Sequence, residues 1–580
     1  MEAIKLTTPS QQDGQAILVE TDPKRLSLWL KSLPFADMTR SIPEITRGIH
    51  SLNRTELPYK ERLQLVEQFD LGYRQIHQYF RPVAALKVQK KEQMQTNLKQ
   101  LKLLTAEMAF AYKIIVNDCI QNRKFWGNNK IKIKAIAFAI HYLGLMLIEQ
   151  YEKYSPIPIY IWREINSLFA YSSKHELQHI EIETGNDHCL NTIEQNYLKN
   201  CLIALADPYH LGPGEHWQVL HYLQNNLNLS RISEDPDDFR KSECFIIDVT
   251  SEQKPNFVTS ELDDPEDPKI RLLLTVDLIK QLSFHLGYCD ERNKLPENSF
   301  HQSISLSDGK RLIRHLLLHW RNRVERNARR YPIVTKVDSV WGIHNICHVL
   351  STTQNSGGAR LTLEDLTNKS NIESSSVWNA SNVSSGGIGL HNHRNLIGKI
   401  AIGELVLIRE YIDGKPAKHW RLSVCCWHTG DNHKGTSIGL KYIDGHYSPV
   451  RLVLHQGKSA KGGLPAILVT DASVKESSAP TLVTSRGTYQ GDRAFAMVGY
   501  QEPVEIRPRV HVDVTAKVER FFYQTYELKP EILQKINASN IEDLPWTAIP
   551  HDKGHVYDEF EEIEKVKPLT LDDIRLPGDY

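Results

Sequence analysis

Paired cysteine is the first thing this sequence lacks. Its eight cysteines (Cys119, Cys189, Cys201, Cys244, Cys289, Cys347, Cys425 and Cys426) include no C-x-x-C pair and no regular interval. That excludes a zinc ribbon or a disulfide framework, and it leads us to expect reduced thiols in a cytoplasmic protein. Net charge is also missing, because 70 Lys and Arg balance 70 Asp and Glu. No global field draws the chain to nucleic acid or to an anionic membrane, so any anion site must be local. The N-terminus, Met1-Glu2-Ala3-Ile4-Lys5, does not open a charged-then-apolar leader. The most apolar run, Ala135 to Ile148, is about fourteen residues long and includes His141. A bilayer span needs about twenty apolar residues, so this run reads as a buried core helix and no membrane span is expected. G-x-x-x-x-G-K-[ST] does not occur, which argues against a P-loop NTPase.

What is present is length with ordinary composition. At 580 residues, 41% hydrophobic and 24% charged, the chain is expected to form several globular domains. Its character changes near residue 330. Before that point helical periodicity dominates: Ile161, Ile165, Leu168 and Phe169 share one face, and Ile193 to Ala206 repeats the pattern until Asp207-Pro208 stops it. Lys60 to Phe80 and Leu98 to Cys119 are similar, so residues 1–320 read as an antiparallel helical array. Cys244 to Val249 reads as an isolated strand. After residue 331 the segments shorten and become rich in β-branched and aromatic residues. They are Val334–Leu350, Ile388–His391, Glu404–Glu410, Trp420–Trp427 and Ser437–Ile443. Asp413-Gly414 is a hairpin signal between two of them. This spacing predicts a small antiparallel barrel. A second group of strands (Ala466–Thr470, Thr481–Thr484, Ala494–Val498 and Arg509–Val514) extends the β region over 456–525. Residues 526–580 form an acidic tail around Asp558, Glu559, Glu561, Glu562 and Glu564.

His175-Glu176-Leu177-Gln178-His179 matches H-E-x-x-H, the zinc-peptidase pattern in which two histidines hold metal and the glutamate activates water. A third ligand is then required at a set spacing. His188 lies nine residues beyond His179, where the pattern with a downstream histidine needs six, and Glu181 puts charge on a normally apolar face. The stretch is therefore read as structural, with no metal and no catalytic residue. A zinc-dependent hydrolase using this stretch is the weakest of the functional alternatives.

The junction between the two halves carries the chemistry. Ser307 and Asp308 are positioned to cap a helix running through RLIRHLLLHWRNRVERNARR, with Ile313, Leu316, Leu317, Trp320 and Val324 as its apolar stripe. Arg323, Arg326 and Arg330 fall on one face, and Tyr331-Pro332 ends the helix. Downstream lies Asn382-Val383-Ser384-Ser385-Gly386-Gly387-Ile388-Gly389-Leu390. Asn382 and Ser384 offer short polar groups, while Gly386 and Gly387 allow close approach of a ligand. Taken singly, the first piece reads equally as a solvated helix face and the second as a plain hairpin.

Together and in this order, the two pieces resemble the PilZ family of cyclic-di-GMP receptors. That family carries R-x-x-x-R just before a six-stranded barrel and [DN]-x-S-x-x-G on the barrel surface. Arg326-Asn327-Ala328-Arg329-Arg330 supplies the first motif and Asn382 to Gly387 the second. Arg323, Arg326, Arg329 and Arg330 allow several pairings, of which Arg326 with Arg330 has the full spacing. Ile402 to Leu407, Trp420 to Trp427 and Ser437 to Leu440 resemble the later strands, and the likeness covers about residues 321–455. A polar segment from about Thr352 to Ser376 is extra to a minimal barrel. Tyr197, Ala206-Asp207-Pro208-Tyr209 and Gly214-Glu215, with Pro480 to Thr484 and Arg486-Gly487, resemble the long FimW-like members of the family.

The resemblance implies an α+β multidomain fold: a helical array, a PilZ-like six-stranded antiparallel β-barrel and a β-rich C-terminal extension. It implies a receptor rather than an enzyme, since no GGDEF or EAL sequence makes or breaks the messenger. The expected ligand is cyclic di-GMP, held by Arg326, Arg329, Arg330, Asn382, Ser384, Gly386 and Gly387, with no other cofactor. Arginine suits such a ligand because its guanidinium pairs bidentately with phosphate or guanine and also stacks on a base. Output is expected through conformational change to protein partners of pilus, motility or attachment machinery. The alternative within the same fold is an adaptor that binds no nucleotide.

Overall fold

The computed structural model describes residues 4–12, 18–80, 91–121, 129–152, 157–183, 189–211, 214–235, 237–238, 244–257, 267–321, 330–356, 361–367, 375–394, 396, 400–401, 403–431, 435–454, 463–470, 479–489, 493–515, 517–539, 544 and 546. These fall into two compact units, essentially residues 1–325 and 326–568.

The first unit contains α1 (Pro23–Ser32), α2 (Met38–Arg54), α3 (Tyr59–Phe80), α4 (Lys91–Gln121), α5 (Asn129–Glu152), α6 (Ile159–Lys174), α7 (Ile193–Leu205) and α8 (Glu215–Asn226). A four-stranded sheet of β1 (Arg231–Ser233), β2 (Cys244–Asp248), β3 (Asn256–Phe257) and β4 (Ile270–Leu274) follows, then α9 (Val276–Arg292) and α10 (Leu306–Trp320). Helix α5 is apolar on all sides and is accordingly enclosed, with α4, α6 and α7 packed around it. It is the one described helix long and apolar enough to cross a membrane, and 78% of its most apolar window is buried within the fold. Gly144 lets α7 approach closely, since a Cβ there would lie 2.1 Å from Asn200 Oδ1. Within the array, Lys113 Nζ and Glu164 Oε2 meet at 2.8 Å with both side chains almost fully buried.

Three expectations for this unit change. Cys244–Val249 is not isolated, because β2 pairs with β3 and β4 in a sheet ordered β1-β4-β2-β3. Its apolar run CFIID suits a strand with neighbours on both sides. The cap of α10 is Ser305 rather than Ser307, because the Ser305 hydroxyl accepts from Asp308 N and donates to the Asp308 carboxylate. That reciprocal pairing satisfies two groups at once. Helix α10 ends at Trp320, and residues 322–329, with Val324 of the expected stripe, lie outside the described residues.

The second unit consists of two closed rings of six antiparallel strands. The first ring is formed by β6 (Lys336–Trp341), β9 (Leu405–Ile412), β11 (Arg421–Asp431), β12 (Gly435–Tyr442), β8 (Gly387–Asn392) and β7 (Ser375–Ser384), and β7 pairs back to β6. Short strands β5 (Tyr331–Pro332) and β10 (Lys415–Pro416) add to β7 and β9. The expected turn at Asp413-Gly414 joins β9 to β10 with φ of 50° and 72°, the left-handed pair that a tight hairpin requires. The second ring is β13 (His446–Leu454), β14 (Leu464–Thr470), β15 (Thr481–Ser485), β18 (Val518–Tyr526), β17 (Val504–Val514) and β16 (Phe495–Val498), in that order around the ring. The protein is thus an α+β multidomain chain with a helical N-terminal region and a β-rich C-terminal half.

Val334–Leu350 is not one strand. Strand β6 stops at Trp341, Gly342 turns the chain at φ +84°, and α11 (Ile343–Asn355) follows. Ile343, Ile346, Cys347 and Leu350 recur at three- and four-residue intervals and are all buried, so helical packing overrides the β-branched composition. The end of this helix and α12 (Leu363–Thr367) lie in the extra polar segment before β7, of which residues 357–360 and 368–374 lie outside the described residues. His446–Leu454, grouped above with the first barrel, pairs with β14 and β16 of the second ring. Within the expected tail, α13 (Pro530–Ser539) packs Ile536 and Ile532 on Ala496 and Val498. The acidic cluster at 558–564 lies outside the described residues.

The first ring has two unlike outer faces. Its interior holds Val337, Trp341, Trp378, Ile388, Leu390, Val406, Ile408 and Ile438. Outside, Val340, Leu405, Leu407 and Leu422 are buried beneath Ile346, Cys347 and Leu350 of α11 and Ile467, Val469 and Val483 of the second ring. Asp338 and Arg409, cross-strand partners, pair there at 2.8 Å with side chains 0% and 3% exposed, and the guanidinium stacks on Trp420. The outer face of β7, β8 and β12 carries polar residues and glycines instead.

Candidate functional site

The second motif occupies the hairpin joining β7 to β8. Register pairs Ser384 with Gly387, Val383 with Ile388 and Asn382 with Gly389, leaving Ser385-Gly386 as the turn. Val383 and Ile388 pack on the ring interior. Alternation therefore puts Asn382 and Ser384 on the outer face. A bulge between Ala380 and Asn382 sets this phase by inserting Ser381. Ser384 Oγ donates to Gly387 O at 3.2 Å, and Asn382 Nδ2 donates to Ser381 Oγ at 3.2 Å.

The glycines divide by role. A Cβ at Gly387 would lie 2.3 Å from Leu440 O, so close approach of β12 is enough to require glycine there. A Cβ at Gly386 would meet nothing within 4 Å, which leaves the turn open to solvent or to a ligand. Gly389, not singled out in the sequence, is covered by the Asn382 amide, at 2.8 Å from where a Cβ would be.

Of the three arginines expected at the site, Arg330 is described and exposed, whereas Arg326 and Arg329 lie outside the described residues. Tyr331 pairs with Val383 and Pro332 with Asn382. Continued by one residue, this antiparallel register sets Arg330 opposite Ser384. The two motifs, 52 positions apart from Arg330 to Asn382, thus meet through a two-residue strand.

Two further residues share that face. Register runs Asn382–Gly389–Gly439–Trp427 across four strands, and Trp427 lies over Gly439, where a Cβ would be 1.9 Å from its indole nitrogen. The indole is 36% exposed. The neighbouring row runs Ser384–Gly387–Lys441, and Lys441 is exposed, 3.9 Å from Asp513. The result is a shallow, glycine-floored face about 14 Å wide at the usual strand spacing. Arg330, Lys441 and Ser384 suit an anion, Asn382 suits a polar base edge, and Trp427 offers a stacking surface. Trp427 looks like the end of an ordinary strand in the sequence, and only the cross-strand register associates it with Asn382.

The H-E-x-x-H stretch is not helical. Helix α6 ends at Lys174, His175 is its C-cap, and Glu176 turns left-handed at φ 56°. His179 instead sits 3.4 Å from Glu194. The i, i+4 geometry that brings two histidines to one metal is therefore missing there. His188, weighed as a third ligand, lies outside the described residues.

Residues 24–237 match the family described as "Cyclic-di-GMP receptor FimW, N-terminal domain". The chain is 26% identical over 212 residues to the cyclic-di-GMP receptor FimW of Pseudomonas aeruginosa, an alignment covering 35% of this chain and 34% of that protein. The chain thus spans about a third of the length of the curated relative it matches. No solved structure gives a significant match. The family match lies in the helical region, before the first ring begins.

Proposed function

We propose that this chain, whose N-terminal region is that of the FimW-like cyclic-di-GMP receptors, is itself a non-enzymatic receptor that binds cyclic di-GMP on the outer face of its first β-ring. The observation that carries the reading is the β5·β7 register, which sets Arg330 opposite Ser384 beside Asn382. Cyclic di-GMP carries two phosphodiester charges and two guanines. A guanidinium neutralises the former or pairs with the O6/N7 edge of the latter. Arg326, four residues before Arg330 in sequence, is the second arginine of the motif, and Arg329 is the third arginine of the segment. Gly386 leaves room at the turn, and Trp427 offers a face on which a purine stacks. The bound messenger changes the conformation of the chain at Arg330, and that change is passed to a protein partner of the attachment or motility machinery. A ligand shifts such an equilibrium only as far as its affinities for the two states differ.

The test is calorimetric titration of the full chain with cyclic di-GMP, comparing wild type with the Arg326→Ala/Arg330→Ala double variant. Each lost charge-assisted contact is worth about 1.5–3 kcal/mol, or roughly ten- to a hundredfold in affinity. Undiminished binding by the folded double variant would remove the site from this face. A wild-type chain that binds no messenger would instead be an adaptor built on the same ring.

A further inference from the structure

Another pair of histidines has the helical spacing that His175 and His179 lack. His315 and His319 lie one turn apart on α10, with ring centroids 4.5 Å apart. They face the C-terminal end of α7, where Asp207 follows the cap residue Ala206. One ligand atom from each of Asp207, His315 and His319 lies within 4.8 Å of the other two.

Asp207 is the wrong residue for its position unless its carboxylate is used. It adopts φ 49°, a left-handed conformation that glycine or asparagine takes most readily after a helix. Its negative charge also sits at the negative end of the α7 dipole, where cations are favoured. The carbonyls of that helix end already have donors. Trp320 Nε1 donates to Leu202 O at 2.9 Å, Lys254 Nζ to Ala204 O at 3.1 Å, and His315 Nε2 meets Ala206 O at 2.7 Å. Lys254 Nζ thus donates to a carbonyl of that end, and the Asp207 charge acts on it as well.

The His315 contact fixes a tautomer. Facing a carbonyl oxygen, Nε2 must carry the proton, which leaves the lone pair on Nδ1. A second-sphere hydrogen bond from one ring nitrogen to a backbone carbonyl is how metal-binding histidines are usually oriented. His319 Nε2 and Asp207 Oδ2 are 3.5 Å apart, longer than a good N–H···O hydrogen bond. Two ligands on a tetrahedral zinc with bonds of about 2.0–2.1 Å are separated by about 3.3 Å.

We propose that Asp207, His315 and His319 form a binding site for a transition-metal dication of the zinc class, clipping the end of α7 to α10. Imidazole and carboxylate donors suit zinc over magnesium or calcium, which prefer all-oxygen shells. Water or an exchangeable ligand completes the coordination. The inference is independent of the messenger-binding reading, since it involves none of those residues.

The full-length chain is stripped with chelator, dialysed and titrated with zinc chloride alone, with elemental analysis for stoichiometry. One zinc per chain is expected, with a rise in the melting temperature. Asp207→Asn and His319→Gln should each weaken zinc binding by at least about tenfold, whereas His175→Ala should retain it. Cobalt(II) in place of zinc should give the visible d–d absorption of a four-coordinate site, lost in His319→Gln. Circular dichroism establishes that each variant is folded. The proposal is overturned if the folded wild type takes up no zinc beyond the His315→Ala/His319→Ala double variant, or if His175→Ala alone abolishes uptake.

Discussion

The two β-rings share strand number, pairing sense and closure, yet their outer surfaces differ. On the first ring, an inserted helix and the second ring cover one side, and a glycine-floored polar face occupies the other. The second ring carries α13 against β16 and exposes Val510, Val512 and Phe522 on its last two strands. It has no counterpart to the Asn382–Gly389–Gly439–Trp427 row among its described residues. Architecture alone therefore assigns no function, and the difference lies in which side chains the register exposes.

The largest contrast should appear in stability. Asp338 and Arg409 are buried between the first ring and its insertion, so Asp338→Ala leaves an uncompensated guanidinium. Breaking such a pair costs about 3–5 kcal/mol, read from denaturant unfolding. In the second ring, Arg509 donates to Gln524 Oε1 at 2.7 Å in an exposed contact, and Arg509→Ala should cost at most about 1 kcal/mol. Equal losses would erase the distinction between a covered and an open ring.

Binding should separate the rings next. Trp427 and Phe522 are comparably exposed, at 36% and 37%. Trp427→Ala should remove a base stack worth about 1–3 kcal/mol, while Phe522→Ala should leave messenger affinity unchanged. Calorimetry finding equal effects would detach the ligand from the first ring. The smallest expected change is that of Ser384→Ala, about 1 kcal/mol in affinity for a neutral hydroxyl. A loss as large as that for an arginine would mean that Ser384 contacts a charged group directly.

Much of this was legible before any coordinates. The Asn-Ser-Gly hairpin was recognisable from its turn residues, and most ring strands from their β-branched alternation. Strand β7 was not, because SSVWNASNVS alternates small polar residues facing outward with few apolar ones facing inward. Helix α11 read as strand because Ile343, Ile346, Val349 and Leu350 favour either state until tertiary packing selects one. Trp427 required register, which a single sequence does not reveal. His315 and His319 have helical spacing in the sequence, but Asp207 lies more than a hundred residues earlier and only the fold brings it near them.

The core shared by α11 and the two rings bears on how this half of the chain can be divided. Val340, Leu405 and Leu407 of one ring lie with Ile467, Val469, Val483 and Val518 of the other in a single apolar cluster. Neither ring is then a module in the hereditary sense: a recombination or truncation between Tyr442 and His446 would strip one ring of its cover and leave a broad greasy wound on the other. The glycine-floored face and the strands behind it are therefore expected to unfold together.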